Sequence, residues 1–167
     1  TINNELFVRR PLSFEIPNDG VTNVDRPEDS NQWDVLKYEL ESFVCEGEYE
    51  HGLQRILDSY TGHRNRTTQP AVWVSGFYGS GKSHLVRVLQ HLWADTKFPN
   101  GATARGLANA SQGIQDQLTE LTTLGRRDGA APWAAAGALD RSGDTLNSVF
   151  LSIVLGAAGL PTRVAPA

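Results

Sequence analysis

Apolar residues recur at helical spacing along much of the chain. Trp33, Leu36, Leu40, Phe43 and Val44 mark one stripe, and Tyr49, Leu53, Ile56, Leu57 and Tyr60 mark another, which predicts two consecutive amphipathic helices. Gly47 separates the two and Gly62 ends the second, while Asp29 or Asn31 offers a side-chain oxygen to the first free amides of the first. Upstream, Leu12, Phe14 and Ile16 alternate, a Pro17-Asn-Asp-Gly20 turn cluster follows, and Val21 and Val24 complete a predicted hairpin. The period changes after Pro70. Residues 71–75 form a short apolar run of strand length, and Leu85, Val88, Leu89 and Leu92, widened by Val86 and Trp93, predict a helix behind it. Beyond Asp95 the chain turns Ala- and Gly-rich. Ile114, Leu118 and Leu121 suggest a short helix, residues 125–129 a turn and residues 133–139 another strand. Asp144 then caps a strongly apolar helix through Leu146, Val149, Phe150, Ile153 and Val154, which stops before Pro161.

Between the run at 71–75 and the helix behind it, residues 76–83 read Gly-Phe-Tyr-Gly-Ser-Gly-Lys-Ser. This matches every fixed position of the phosphate-binding pattern G-x-x-x-x-G-K-[ST]. Phosphate oxygens need several N–H donors converging on one point, and a glycine-interrupted turn that feeds a helix start supplies them. Gly76, Gly79, Ser80, Gly81, Lys82, Ser83 and the backbone amide of His84 are therefore the candidate nucleotide-binding residues. Lys82 is the candidate catalytic cation for the β- and γ-phosphates, and the Ser83 hydroxyl the candidate ligand of Mg²⁺. No Asn-Lys pair for guanine recognition occurs, so ATP is preferred to GTP; the Asp140-Arg-Ser-Gly143 match to a switch pattern is short. His84 and His91 lie a heptad apart, unlike the i, i+4 pair of a helical zinc site.

The order strand, phosphate loop, helix, insertion, strand, helix predicts an α/β fold: an AAA+-like P-loop NTPase with a doubly wound parallel sheet, incomplete here. Residues 1–30 are then an N-terminal hairpin extension and 31–69 a helical pair leading into the core. Residues 70–167 are the first part of that core, with an insertion at 95–144. No apolar strand ends in Asp or Glu, so the acidic strand that anchors Mg²⁺ is expected beyond residue 167, and residues 1–167 by themselves are expected to bind nucleotide at most weakly and to turn over no ATP.

Composition narrows the partners. The 167 residues are 40% apolar, enough for one ordinary core, and the formal charge of −4 argues against a general nucleic-acid clamp. Arg9-Arg10, the His63-Arg-Asn-Arg66 stretch and Arg126-Arg127 are small basic spots, read first as solvated charge. The single Cys45 suits a reduced core thiol, and no run reaches membrane-spanning length, so the expected location is the cytoplasm.

The Pro-Asn-Asp-Gly turn, Tyr38-Glu-Leu-Glu-Ser-Phe-Val-Cys45, Gly52-Leu-Gln-Arg-Ile-Leu57 and the stretch from Ala71 through the aromatic Gly-Phe-Tyr-Gly filling to Val86 together resemble one family. It is the amino-terminal region of the large P-loop ATPase of bacteriophage-exclusion (BREX) defence systems. The resemblance runs from about Leu6 through Gly101-Ala-Thr-Ala-Arg-Gly-Leu107 to the end. It implies a homo-oligomeric cytoplasmic ATPase that uses ATP and Mg²⁺ beside a DNA methyltransferase and accessory subunits, with DNA contacts in regions outside this chain. Only the phosphate-loop residues carry over as sites. A nucleotide-stabilised assembly platform without significant hydrolysis is the alternative.

Overall fold

The structure, a computed structural model, describes residues 27, 29–138 and 145–162. Six helices account for its regular structure: α1 (Ser30–Ser42), α2 (Glu48–His63), α3 (Lys82–Ala94), α4 (Ala104–Leu107), α5 (Gln112–Arg127) and α6 (Leu146–Ala157). The two predicted amphipathic helices are α1 and α2. Asp29 Oδ1 accepts from Gln32 N at 2.8 Å and so fixes where α1 begins. The chain turns extended at Phe43, which leaves Val44 outside the helix and largely exposed rather than in the core. Glu48 and Glu50 place negative charge in the first turn of α2, next to its positive dipole end, and the helix runs through Gly62 to His63.

The helices share one core. Leu36 and Leu40 from α1, Leu53 and Leu57 from α2, Val88 and Leu92 from α3, and Ile114 and Leu118 from α5 are fully or almost fully buried. Each pair is spaced four residues apart, so each helix turns one apolar row inward. Helix α2 packs along α5, while α3 lies against both α1 and α5 and short α4 bridges α1 and α3. Two aromatic contacts close the far side: Trp33 meets Phe98 edge-on at 5.2 Å, and Tyr60 meets Trp93 at 4.6 Å. Cys45 is buried in this core, and burial raises its thiol pKa, which holds it in the unreactive protonated form.

The doubly wound parallel sheet is not present. Among the described residues there is no strand, only an isolated antiparallel bridge between Lys97 and Thr103. Residues 71–75 and 131–138 both run without regular structure. Val72 and Trp73 are exposed by 54% and 90%, so the apolar run is not a buried strand. A helix satisfies its own amides, whereas a strand needs a neighbour for its N–H and C=O groups, and the described residues offer 71–75 none. What remains is a helical assembly in place of the α/β layout.

Two further expectations shift. Thr145, not Asp144, caps α6 through its hydroxyl, which accepts from Ser148 N at 3.3 Å; Asp144 itself lies outside the described residues. The predicted hairpin across residues 12–24 also lies outside them. No helix among the described residues is long and apolar enough to cross a membrane. Helix α6 is the most apolar of the six, yet none of its residues is buried.

Candidate phosphate-binding site

Residues 76–81 form a tight turn that runs directly into α3. Gly79 and Gly81 adopt φ of +78° and +79°, left-handed values that a side chain disfavours, so the backbone favours glycine at the fixed position 81 and also at the variable position 79 of the pattern. Ser80 N donates to Phe77 O at 3.2 Å within the turn, and Leu85 N donates to Gly81 O at 2.8 Å as the first bond of the helix. The amides of Lys82, Ser83 and His84 precede that bond and have no intrahelical acceptor. Gly81 supplies no side-chain cap and the first turn holds no acid, so positive helix-end potential faces outward.

The sequence-predicted residues are thus brought together. Lys82 and Ser83 are the first two residues of α3. The Lys82 ammonium curls back over the turn, donating to Phe77 O at 2.6 Å and Gly76 O at 2.9 Å, with Ser80 Oγ at 3.4 Å. Ser83 is exposed. The donor set of one ammonium, one hydroxyl and helix-start amides fits a nucleotide's phosphates and a magnesium ion that they share. The tightness of the turn agrees. A Cβ on Gly76 would lie 2.7 Å from Ser80 Oγ, so a side chain there would force the serine hydroxyl to move.

Helix α2 positions the turn from behind. Tyr49, in the first turn of α2, donates its hydroxyl to Ser80 O, and a Cβ on Gly81 would lie 2.8 Å from that hydroxyl. Between α2 and residues 71–77 a groove of about 1050 Å³ opens beside Lys82, with Tyr49, Gly52, Arg55, Ser59, Trp73 and Ser80 in its wall. Tyr49 belongs by spacing to an apolar stripe, yet it is partly exposed and donates to the turn at residues 76–81.

His84 contributes more than a backbone amide. Its ring stacks on Phe43 at 5.7 Å and 15°, and burial followed by the Arg87 charge holds its pKa below the usual imidazole range. One turn further, Arg87 Nε stands 2.8 Å from Glu39 Oε2 of α1, both side chains being well buried. The N–H is misaligned with the oxygen, so the attraction is coulombic rather than a directed hydrogen bond. Burial raises the Glu39 pKa and Arg87 opposes the rise. Of the small basic spots, Arg64 is occupied in an ion pair with Asp128.

Among the described residues no cluster of three or more His, Cys, Asp or Glu side chains is placed to hold a metal ion. No family model matches the chain, and no solved structure matches it.

Proposed function

We propose that this chain is an ATP-binding module that holds ATP with Mg²⁺ at residues 76–83, within a large cytoplasmic ATPase of a bacterial antiphage (BREX) defence system. The observation that supports it is the complete phosphate-loop pattern seated at the start of α3, with Lys82, Ser83 and the helix-start amides on one turn. The defence-system context, with a DNA methyltransferase, accessory subunits and a homo-oligomer as partners, rests on the sequence resemblance.

Each residue has a separate task. Backbone amides at the start of α3 orient the phosphates, and the Lys82 ammonium neutralises them. The Ser83 hydroxyl would hold the metal, whose charge draws electrons from the phosphates when bound. Turnover also needs a carboxylate anchor for the metal and a group that orients water. Nucleotide binding is therefore assigned to this chain, and hydrolysis to the full-length protein.

Calorimetric titration with Mg-ATP tests the reading. Lys82→Ala is expected to weaken binding about tenfold or more, as befits the loss of a charge-assisted contact. Equal affinity in the two proteins would remove the lysine from its role. Ser83→Ala is expected to retain detectable binding while blunting its dependence on Mg²⁺, and superimposable magnesium titrations would count against metal coordination there.

The platform reading is favoured by one observation. Trp73, Phe77 and Tyr78 are exposed by 90%, 91% and 95%, an unusual display of aromatic surface that suits assembly better than isolated life in water.

A further inference from the structure

The geometry points to Tyr49 as the residue that positions the phosphate loop, by fixing the direction in which the Gly81 amide points. This inference rests on the phosphate-binding reading of residues 76–83. The peptide plane that joins Ser80 to Gly81 turns on ψ of Ser80 and φ of Gly81, and at Gly81, held at positive φ, it meets the least restrained residue type. The described residues hold no cis peptide bond. In a trans peptide the C=O and the following N–H point in opposite directions, so whatever fixes Ser80 O also aims Gly81 N–H. The Tyr49 hydroxyl fixes it, from 31 positions away in the chain.

The tyrosine is itself held. Its ring meets Phe43 edge-on at 6.1 Å and 82°, and Phe43 stacks on His84, the third residue of α3. The circuit runs from the start of α3 through Phe43 and Tyr49 back to the residue before its cap. It ties the turn to α1 and α2, which the core anchors through Leu40 and Leu53. Gly81 belongs to the same device, because a Cβ there would collide with the hydroxyl. A preorganised donor costs less to engage than one that must first be ordered, so the latch raises affinity without touching the ligand.

The test compares wild type, Tyr49→Phe and Lys82→Ala by Mg-ATP titration, with melting temperatures and the Gly81 amide resonance recorded for each. Tyr49→Phe keeps the ring against Phe43 and removes one hydroxyl. It is expected to raise the dissociation constant about three- to tenfold, the worth of one net hydrogen bond. Its melting temperature without nucleotide is expected to stay within about 2 °C of wild type. The Gly81 amide signal should shift on adding Mg-ATP to wild type, and should already be displaced in nucleotide-free Tyr49→Phe. Equal affinity of wild type and Tyr49→Phe, with Lys82→Ala weaker, would overturn the latch and leave the phosphate site standing. Wild type binding no better than Lys82→Ala would overturn the phosphate reading, and the latch with it. A lower melting temperature with unchanged affinity would make Tyr49 a structural residue only. If Tyr49→Phe fails to fold, the wild-type resonance decides: a Gly81 amide unmoved by Mg-ATP overturns the inference.

Discussion

Arg105→Met is expected to lower the free energy of unfolding by about 3–4 kcal/mol, a large share of the margin by which an ordinary domain is stable. The guanidinium leaves α4 and donates to four acceptors on two other helices. Nε reaches Leu92 O at 2.7 Å and Nη2 reaches Trp93 O at 3.0 Å, both carbonyls at the end of α3. Nη1 reaches Leu118 O at 2.9 Å and Thr122 Oγ1 at 2.7 Å on α5. The last carbonyls of a helix have no intrahelical partner, so here one planar cation satisfies the end of α3 while binding it to α5. Methionine keeps most of the apolar stem and supplies none of the donors. Lysine has a single ammonium and would recover only a minor part, so Arg105→Lys is expected to fall nearer to Arg105→Met than to wild type. Urea denaturation of the three proteins measures this; a loss below about 1 kcal/mol for Arg105→Met would show that water replaces the guanidinium at little cost.

Acidification is expected to destabilise the fold through His91. This imidazole is 4% exposed, its Nδ1 lies 2.9 Å from Thr96 Oγ1, and its Nε2 is buried without a hydrogen-bond partner. Burial first, and then the Arg87 charge one helical turn away, pushes its pKa down to about 4. The unfolded chain, with an ordinary imidazole near 6.5, binds this proton more readily than the folded one. Stability contributed by neutral His91 is therefore complete above pH 6.5, is lost as the pH falls towards 4, and changes no further below that. Each tenfold change in proton affinity is worth about 1.4 kcal/mol, so the full loss is about 3 kcal/mol. His84, also depressed, acts in the same sense, whereas Glu39, whose pKa is raised, regains stability on protonation and partly offsets both. Denaturation between pH 7 and 4 for wild type and His91→Leu checks the assignment. The variant should lose markedly less stability over that interval, and parallel curves would exclude His91 as the source.

Legibility in the sequence followed how locally each feature is determined. The rows Leu36 and Leu40, Leu53 and Leu57, and Leu85, Val88 and Leu92 declared their helices because a helix pairs its own backbone and shows its buried face as a period. Asp29 was readable as a cap for the same reason. Residues 71–75 misled because a short apolar run is compatible with a strand, yet the partner that would make it one cannot be read from the run itself. The phosphate turn was readable as a motif since its glycines and lysine act within eight residues. Tyr49 and Arg105 were not. Their hydroxyl and guanidinium act across the fold, and the aromatic spacing that marked Tyr49 for the core gave no sign of a carbonyl at Ser80. For Arg105 the only local signal was the Thr103 cap three residues before Gly106, within a stretch whose alanines and glycines obscured a four-residue helix.

On the proposed phosphate-binding reading, the inward curl of Lys82 makes ligand entry an exchange. Its ammonium already has two carbonyls of its own loop as neighbours, at 2.6 and 2.9 Å, and these act as a tethered competitor at high local concentration. An arriving anion gains only the difference between its oxygens and those carbonyls. A lone phosphate or sulfate has little to offer beyond the swap, whereas a chain of phosphates reaches the ammonium and the helix-start amides together. If the proposed phosphate-binding reading holds, the loop would screen its visitors by length, admitting polyphosphates while the abundant small anions of a cell are largely turned away.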